Sequence, residues 1–134
     1  MGHTCSAALL KCMDFRLTGD TCRWLEEKGL VNDCDIISVA GAAKDLVENP
    51  EGYVFSLIKL SVELHHVTRL IIMHHLDCGA YGGSAAFESL AEEREMHRKE
   101  IQRAREIIRG NFPAVVVESY FLSPEGKRWT IETM

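Results

Sequence analysis

Two short motifs contain the residue types that hold a transition metal in an enzyme. The first, CMDFR, occupies residues 12–16, and the second, HLDC, occupies residues 75–78. Together they supply two thiolates and one imidazole, a three-ligand set suited to zinc, which then keeps its fourth position open for water. We therefore predict a Zn²⁺ site with the ligands Cys12, His75 and Cys78.

The first motif also contains an acid and a base beside its cysteine. Asp14 and Arg16 alternate with Cys12, so in an extended segment all three side chains point the same way. Arg16 can hold Asp14 in a two-pronged ion pair. That pair would keep Asp14 ionised and able to orient hydroxide generated at the zinc. In the alternative arrangement Asp14 takes the fourth position on the metal, which closes the site and leaves Arg16 unpaired.

The spacing of the first motif excludes a phosphate loop of the cysteine-phosphatase type. Only three residues separate Cys12 from Arg16. A phosphate cradle needs a longer run of successive backbone N–H groups around the anion. Hydration or hydrolysis at a metal is the chemistry that fits the motif better.

Hydrophobic patterns alternate along the chain between short strand-like runs and longer helical runs. We predict strands at residues 6–13, 34–40, 69–74 and 114–121, helices at 18–29, 52–66 and 84–109, and a short antiparallel strand at 127–131. The strand runs LLKCM, IISV, LIIM and AVVV are almost continuously apolar, as in strands covered on both faces. The alternation predicts one three-layer α/β domain over residues 1–134, with a mainly parallel sheet.

The order of the strands decides whether the two motifs meet. In a doubly wound sheet of order 2-1-3-4, the first and third strands are neighbours, and a crevice opens at their carboxyl ends. Each motif closes one of those strands. A cysteine at one strand end is most simply a packing residue, but two motifs on neighbouring strand ends favour a metal site.

The amino-acid composition limits the class of protein to which the chain can belong. The chain has 134 residues, with 46% hydrophobic and 26% charged, and a net charge of −5. It lacks the basic surplus of a nucleic-acid-binding surface and the run of about 20 apolar residues that spans a membrane. We find no targeting segment and expect a cytoplasmic protein without a membrane or nucleic-acid partner. Its five cysteines, odd in number and irregularly spaced, suggest thiols or metal ligands and not disulfides.

Other polar residues have simpler interpretations. Cys5, Cys22 and Cys34 are predicted to be small core residues, and His65 to cap a helix end through the helix dipole. Charges in residues 88–109 have the spacing of a solvated, self-paired helix face. His74 and Asp77 lie next to the predicted ligands and are candidates for a proton relay or for packing.

The two motifs together resemble the active site of the beta-class carbonic anhydrases, which has Cys-x-Asp-x-Arg followed by His-x-x-Cys-Gly. Weaker similarity extends through SVAGA at residues 38–42 and ESYFLSPEGKRWTIE at residues 118–132. The resemblance implies zinc binding by Cys12, His75 and Cys78. It also implies a catalytic dyad of Asp14 and Arg16.

The resemblance further implies an activity and a quaternary state. The backbone N–H of Gly79 would help to orient the substrate. The family reaction is the reversible hydration of carbon dioxide to bicarbonate. Its working unit is a homodimer or a higher homo-oligomer, with the pocket near the interface. The protein would then be a short, divergent zinc lyase acting on a small molecule.

The chain departs from the family pattern in its pocket. Ser38 and Val39 stand where the family has Arg and Asn, the family's pocket Gln has no counterpart, and the family's N-terminal helices are expected to be missing. Two alternatives therefore stay open. One is hydrolysis of a carbon dioxide analogue, carbon disulfide or carbonyl sulfide, as in relatives of this fold. The other is a non-catalytic zinc protein whose metal ties two strands together.

Overall fold

A five-stranded sheet forms the centre of the computed structural model, which describes residues 3–134. Its strands are β1 (Ala7–Cys12), β2 (Cys34–Val39), β3 (Arg69–His75), β4 (Val116–Glu125) and β5 (Arg128–Thr133). The spatial order is β2-β1-β3-β4-β5. The first four strands are parallel, and β5 pairs antiparallel with β4. The predicted α/β class and strand order are confirmed.

Helices cover both faces of the sheet. They are α1 (Thr18–Glu27), α2 (Lys44–Glu48), α3 (Tyr53–His65) and α4 (Leu90–Asn111). Successive residues of β1 face opposite sides, so Leu10 joins one core with α2, α3 and α4, and Leu9 joins the other with Trp24 of α1. This two-sided burial explains the continuous apolar runs of β1 and β3, whereas Ile36 on the edge strand β2 and Val116 at the start of β4 are exposed, so burial on both faces was wrongly predicted there. None of the helices in residues 3–134 is long and apolar enough to cross a membrane.

Several boundaries differ from the prediction for local reasons. The helix predicted over residues 84–109 begins at Leu90, because the side chain of Ser89 accepts a hydrogen bond from the N–H of Glu92 and caps it. The same helix continues through Gly110, which therefore does not end it. The final hairpin is longer than expected and turns at Gly126, whose φ of 62° suits a residue without a side chain.

The prediction of a solvated, self-paired charged face on α4 was wrong for Glu93 and Glu100. Glu93, His97 and Glu100 are buried on the same stripe as Ile101 and Ala104. Each has a polar partner inside the protein, which offsets the cost of its burial. Elsewhere on the helix the expected self-pairing does occur, as between Arg98 and Glu95.

A buried carboxylate, Asp20, fastens α1 to the terminal hairpin. It is 8% exposed and accepts hydrogen bonds from Arg23 and from Nε of Arg128, both at 2.7 Å, and from the N–H of Trp129 at 2.9 Å. Burial alone would raise the pKa of Asp20, but these three donors outweigh it and lower the pKa to about 2. The ionised carboxylate therefore stabilises the fold.

The sign of this pKa shift predicts how Asp20 affects stability at different pH. Its folded pKa of about 2 lies below the ordinary value of 3.8, so its contribution is present above pH 4 and disappears as the pH falls toward 2. We expect Asp20→Asn to lower the free energy of unfolding by about 2 kcal/mol at pH 7. Urea unfolding of both proteins at pH 7, 4 and 3 should show the difference narrowing only below pH 4. A difference that stays constant would contradict this assignment.

Candidate metal centre

The fold brings the three predicted ligands into one cluster. Cys12 ends β1, His75 ends the neighbouring strand β3, and Cys78 follows a turn at Asp77, whose φ is 60°. All three ligands are buried, and their ligand atoms lie within 4.8 Å of one another. The two Sγ atoms are 3.9 Å apart. Two sulfurs on one tetrahedral zinc, each at about 2.3 Å, would be separated by roughly the same distance.

The imidazole of His75 is oriented as a metal ligand. The side chain is fully buried, and its Nδ1 donates a hydrogen bond to the carbonyl of Leu76 at 2.8 Å. That bond places the ring proton on Nδ1 and leaves a lone pair on Nε2. Within residues 3–134, Nε2 has no hydrogen-bond partner. A buried, unpartnered nitrogen beside two thiols is a donor set that fits zinc or a similar divalent ion.

The surroundings of the two thiols favour the ionised form of one of them. The backbone N–H of Gly41 lies toward the sulfur of Cys12, and that of Ala80 toward the sulfur of Cys78. The hydrogen bond from Cys78 lowers the pKa of Cys12 well below its ordinary value, and the same contact raises the pKa of Cys78. One proton is thus shared between the sulfurs, and a bound cation would displace it.

Asp14 and Arg16 form the predicted ion pair, although not on an extended segment. The strand ends at Cys12, and Asp14 caps a single 3₁₀ turn over Phe15–Leu17 that folds Arg16 back toward it. Nη2 and Nε of Arg16 donate to Oδ2 of Asp14 at 2.7 and 3.1 Å. These bonds lower the pKa of Asp14 to about 2. Oδ2 also lies 3.9 Å from Nε2 of His75, beside the ligand cluster.

A second carboxylate, which the sequence did not assign to this role, also holds Arg16. Nη1 of Arg16 donates to Oδ2 of Asp77 at 3.1 Å, and Nη2 donates to the Asp77 carbonyl at 2.9 Å. The N–H of Ser84, together with Arg16, lowers the pKa of Asp77. Asp77 therefore lies where it positions the guanidinium, a role that the sequence did not suggest, and its part in a proton relay stays a prediction.

The other candidate relay, His74, is enclosed by protein. Its Nε2 accepts the N–H of Ala43 at 3.2 Å, and its Nδ1 lies 2.8 Å from Nδ1 of His97. Burial and the neighbouring imidazoles keep the pKa of His74 well below its ordinary value. Both ring nitrogens are occupied, so this histidine supports the sheet behind the site and offers no route to solvent. The packing alternative for His74 is the one that fits.

Two residues that the sequence analysis missed support the site from outside. The buried carboxylate of Glu93 accepts the N–H of Asp77 at 2.6 Å and the hydroxyl of Ser84 at 2.7 Å, which fixes the loop after β3. The ring of Trp129 packs against His75 and lies 5.4 Å from the guanidinium carbon of Arg16. The spacing of Glu93 with the apolar stripe of α4 is the signal that could have revealed it.

Two glycines at the site provide a matched test of its packing. Gly41 has a φ of +75°, and a side chain there would meet Cβ of Ala80 at 2.9 Å, directly beside Cys78. A side chain at Gly79 would meet nothing within 4 Å. We expect Gly41→Ala to cost about 1–3 kcal/mol of unfolding free energy, through backbone strain and this clash. Gly79→Ala should change it by less than about 0.5 kcal/mol. Equal losses in urea unfolding would contradict the described packing.

Comparison with known proteins identifies a family for this chain, and that family agrees with the residues found at the site. A family model described as "Putative carbonic anhydrase" matches residues 2–134. An uncharacterized protein of Rickettsia bellii is 31% identical, over 90% of this chain and 78% of the relative. An uncharacterized protein of Rickettsia conorii is 28% identical, over 90% of this chain and 69% of the relative.

Solved structures share the fold. The beta-carbonic anhydrase isoform I of Trichomonas vaginalis has a TM-score of 0.66 at 17% identity, covering 97% of this chain and 83% of its own. A carbonic anhydrase of Streptococcus mutans has a TM-score of 0.60 at 16% identity, covering 98% and 83%. A structure from a pair of Sordaria macrospora beta-carbonic anhydrases, both described as tetrameric, has a TM-score of 0.60 at 12% identity. The match covers 97% of this chain and 81% of that chain.

Proposed function

The chain belongs to a carbonic anhydrase-like family, and from that premise we propose that it binds zinc and catalyses the reversible hydration of carbon dioxide to bicarbonate. The zinc ligands are Cys12, His75 and Cys78, and the catalytic pair is Asp14 and Arg16. One observation supports the proposal above all others. Nε2 of His75, which has no hydrogen-bond partner among residues 3–134, lies beside two buried thiols, and an arginine-held carboxylate lies only 3.9 Å from it.

Zinc at this cluster would supply the Lewis acidity that generates hydroxide from water near neutral pH. Asp14 would accept a hydrogen bond from that hydroxide and so orient it toward the carbon of the substrate. Arg16 and, behind it, Asp77 hold that carboxylate ionised and fixed in place. An ionised Asp14 already bound by two guanidinium nitrogens favours the arrangement in which it stays off the metal.

We propose that a small linear substrate binds beside the turn after Cys78. Gly79 is exposed, begins a 3₁₀ turn, and has nothing within 4 Å of the position where a side chain would be. Its backbone N–H can donate to a substrate oxygen without displacing any protein group. The substrate-orienting role proposed for Gly79 rests on this open position.

We also propose that the protein works as a homo-oligomer, a dimer or a larger assembly. Phe15, between the two catalytic residues, is 85% exposed, and Met13 is 62% exposed. Large apolar side chains beside a site are commonly covered by a partner. The Sordaria macrospora relatives of this fold are described as tetrameric. Light scattering coupled to size-exclusion chromatography measures the mass directly, and a monomer would contradict this proposal.

Removal of zinc distinguishes a catalytic role from a structural one. A chelator should abolish carbon dioxide hydration, while the far-ultraviolet circular dichroism spectrum should remain that of the folded protein. The fold should persist because a hydrophobic core covers each face of the sheet. Returning zinc should restore the rate. Loss of fold together with loss of zinc would indicate a structural metal. A zinc-loaded protein that cleaves carbonyl sulfide or carbon disulfide faster than it hydrates carbon dioxide would reassign the substrate.

A further inference from the structure

A second group of metal-ligating side chains lies at the opposite end of the sheet from the zinc cluster. Cys5 precedes β1, Asp35 lies near the start of β2, and His65 ends α3. Their ligand atoms lie within 4.8 Å of one another. Because β1 separates this group from Cys12, the two clusters are roughly 20 Å apart at about 3.3 Å per strand residue. The second group is therefore a separate site.

Contacts from three different elements hold this group together. Oδ2 of Asp35 accepts the hydroxyl of Ser61 at 2.6 Å and lies 2.7 Å from Nδ1 of His65. The backbone N–H of Cys5 donates to the carbonyl of His65 at 3.1 Å, which fixes the N-terminal segment against the end of α3. The predictions that Cys5 only fills the core and that His65 only serves the helix dipole omit these contacts.

The side chains have room and charge for a cation. They line a cavity of about 310 Å³ together with His3 and Cys34, and the ring of His3 lies 4.8 Å from that of His65. The thiol of Cys5 donates a hydrogen bond to the carbonyl of Ala7. Once a bound cation displaces that proton, the thiolate, the carboxylate and a neutral imidazole carry a combined charge of −2, which a divalent ion balances. Mixed sulfur, oxygen and nitrogen donors suit borderline ions of the zinc type and do not suit magnesium or calcium.

We propose that Cys5, Asp35 and His65 form a second site for a divalent transition metal of the zinc class, independent of the catalytic cluster. His3 or water completes the coordination. The distance of 2.7 Å between Asp35 and His65 is shorter than the roughly 3.3 Å between two light-atom ligands of tetrahedral zinc. Binding thus opens this contact by about half an ångström, which half-buried side chains at a helix end allow. The metal would clip the N-terminal segment to α3 and β2.

Zinc titration of the full chain tests this site through the number of ions bound, a measurement that does not depend on enzymatic activity. The unmodified protein should bind two zinc ions, and Cys5→Ser/His65→Gln should bind one while keeping its circular dichroism and its carbon dioxide hydration. His66→Asn is the matched control, because His66 is exposed, lies next to His65 and has a left-handed backbone that Asn tolerates. It should still bind two.

Cobalt provides a second readout that separates the two clusters. The Cys12→Ser variant should bind one cobalt ion and show thiolate-to-metal charge-transfer absorption. That absorption should disappear when Cys5→Ser and His65→Gln are combined with Cys12→Ser. If the unmodified protein binds one ion that is lost in Cys5→Ser/His65→Gln and retained in Cys12→Ser, that result would support the second site and contradict the catalytic one. A single ion lost on Cys12→Ser alone, or equal stoichiometry with and without Cys5 and His65, would overturn the second site.

Discussion

Replacing Asp14 by Asn is expected to slow carbon dioxide hydration by roughly 10²–10³-fold while the zinc content stays the same. An amide has nearly the same shape as a carboxylate, but it is neutral, so it cannot pair with Arg16 as an anion and is a weaker hydrogen-bond acceptor for the attacking nucleophile. The pKa of Asp14 is about 2, so the unmodified residue is ionised throughout the working pH range. Stopped-flow hydration and zinc analysis on the same preparation measure both quantities.

Two further variants calibrate that result. Asp77→Asn should cost less, about tenfold, because Asp77 acts only through Arg16, whose bonds to Asp14 remain. Asp45→Asn should leave the rate unchanged, since the one hydrogen bond that its carboxylate makes within residues 3–134 comes from the side chain of Asn49, just after α2. Full activity in Asp14→Asn would remove this residue from the mechanism. Loss of zinc in the same variant would instead make Asp14 a metal ligand.

Replacing Cys12 by Ser is expected to lower zinc affinity at the catalytic cluster by at least about a hundredfold and to abolish hydration. The loss of one direct ligand should exceed the 10–100-fold effect usual for residues that merely support ligands. The fold should survive, because Cys12 contributes only one position to a core that includes Leu9, Trp24 and Ile71. Competition with a zinc-sensitive dye measures the affinity.

Cys22→Ser provides the matched control for the thiol. The prediction that Cys22 is a core residue was wrong, because Cys22 lies exposed on α1; it takes part in neither metal-ligating cluster. Its replacement should change neither zinc affinity nor rate. An unchanged affinity in Cys12→Ser, or an equal loss in both variants, would contradict the assigned ligand set.

The sheet and the ligand cluster were predictable because both depend on local pattern and on a general rule of topology. Strands buried on both faces must be continuously apolar, so their ends are easy to locate. Once β1 and β3 are neighbours, residues that follow them meet. Cys12, His75 and Cys78 are therefore brought together by the backbone alone, before any detail of side-chain packing is known.

The supporting residues were not predictable in the same way, because their roles depend on long-range contacts. Glu93 looks like one of many charges on α4, and only the loop after β3 makes it a buried acceptor. Arg16 reaches Asp77 because a single 3₁₀ turn replaces the expected extended segment. Asp35 and His65 are 30 residues apart and follow no motif spacing, so only the packing of α3 on β2 brings them together.

The most direct test of the central claim measures zinc content and carbon dioxide hydration on one preparation of the unmodified protein. We predict zinc at the cluster of Cys12, His75 and Cys78, recognised by its loss in Cys12→Ser, and hydration that rises in proportion to occupancy of that cluster. Hydration no faster than in buffer with the cluster fully loaded would contradict the proposed activity. Failure of the cluster to bind zinc would contradict the account at its foundation.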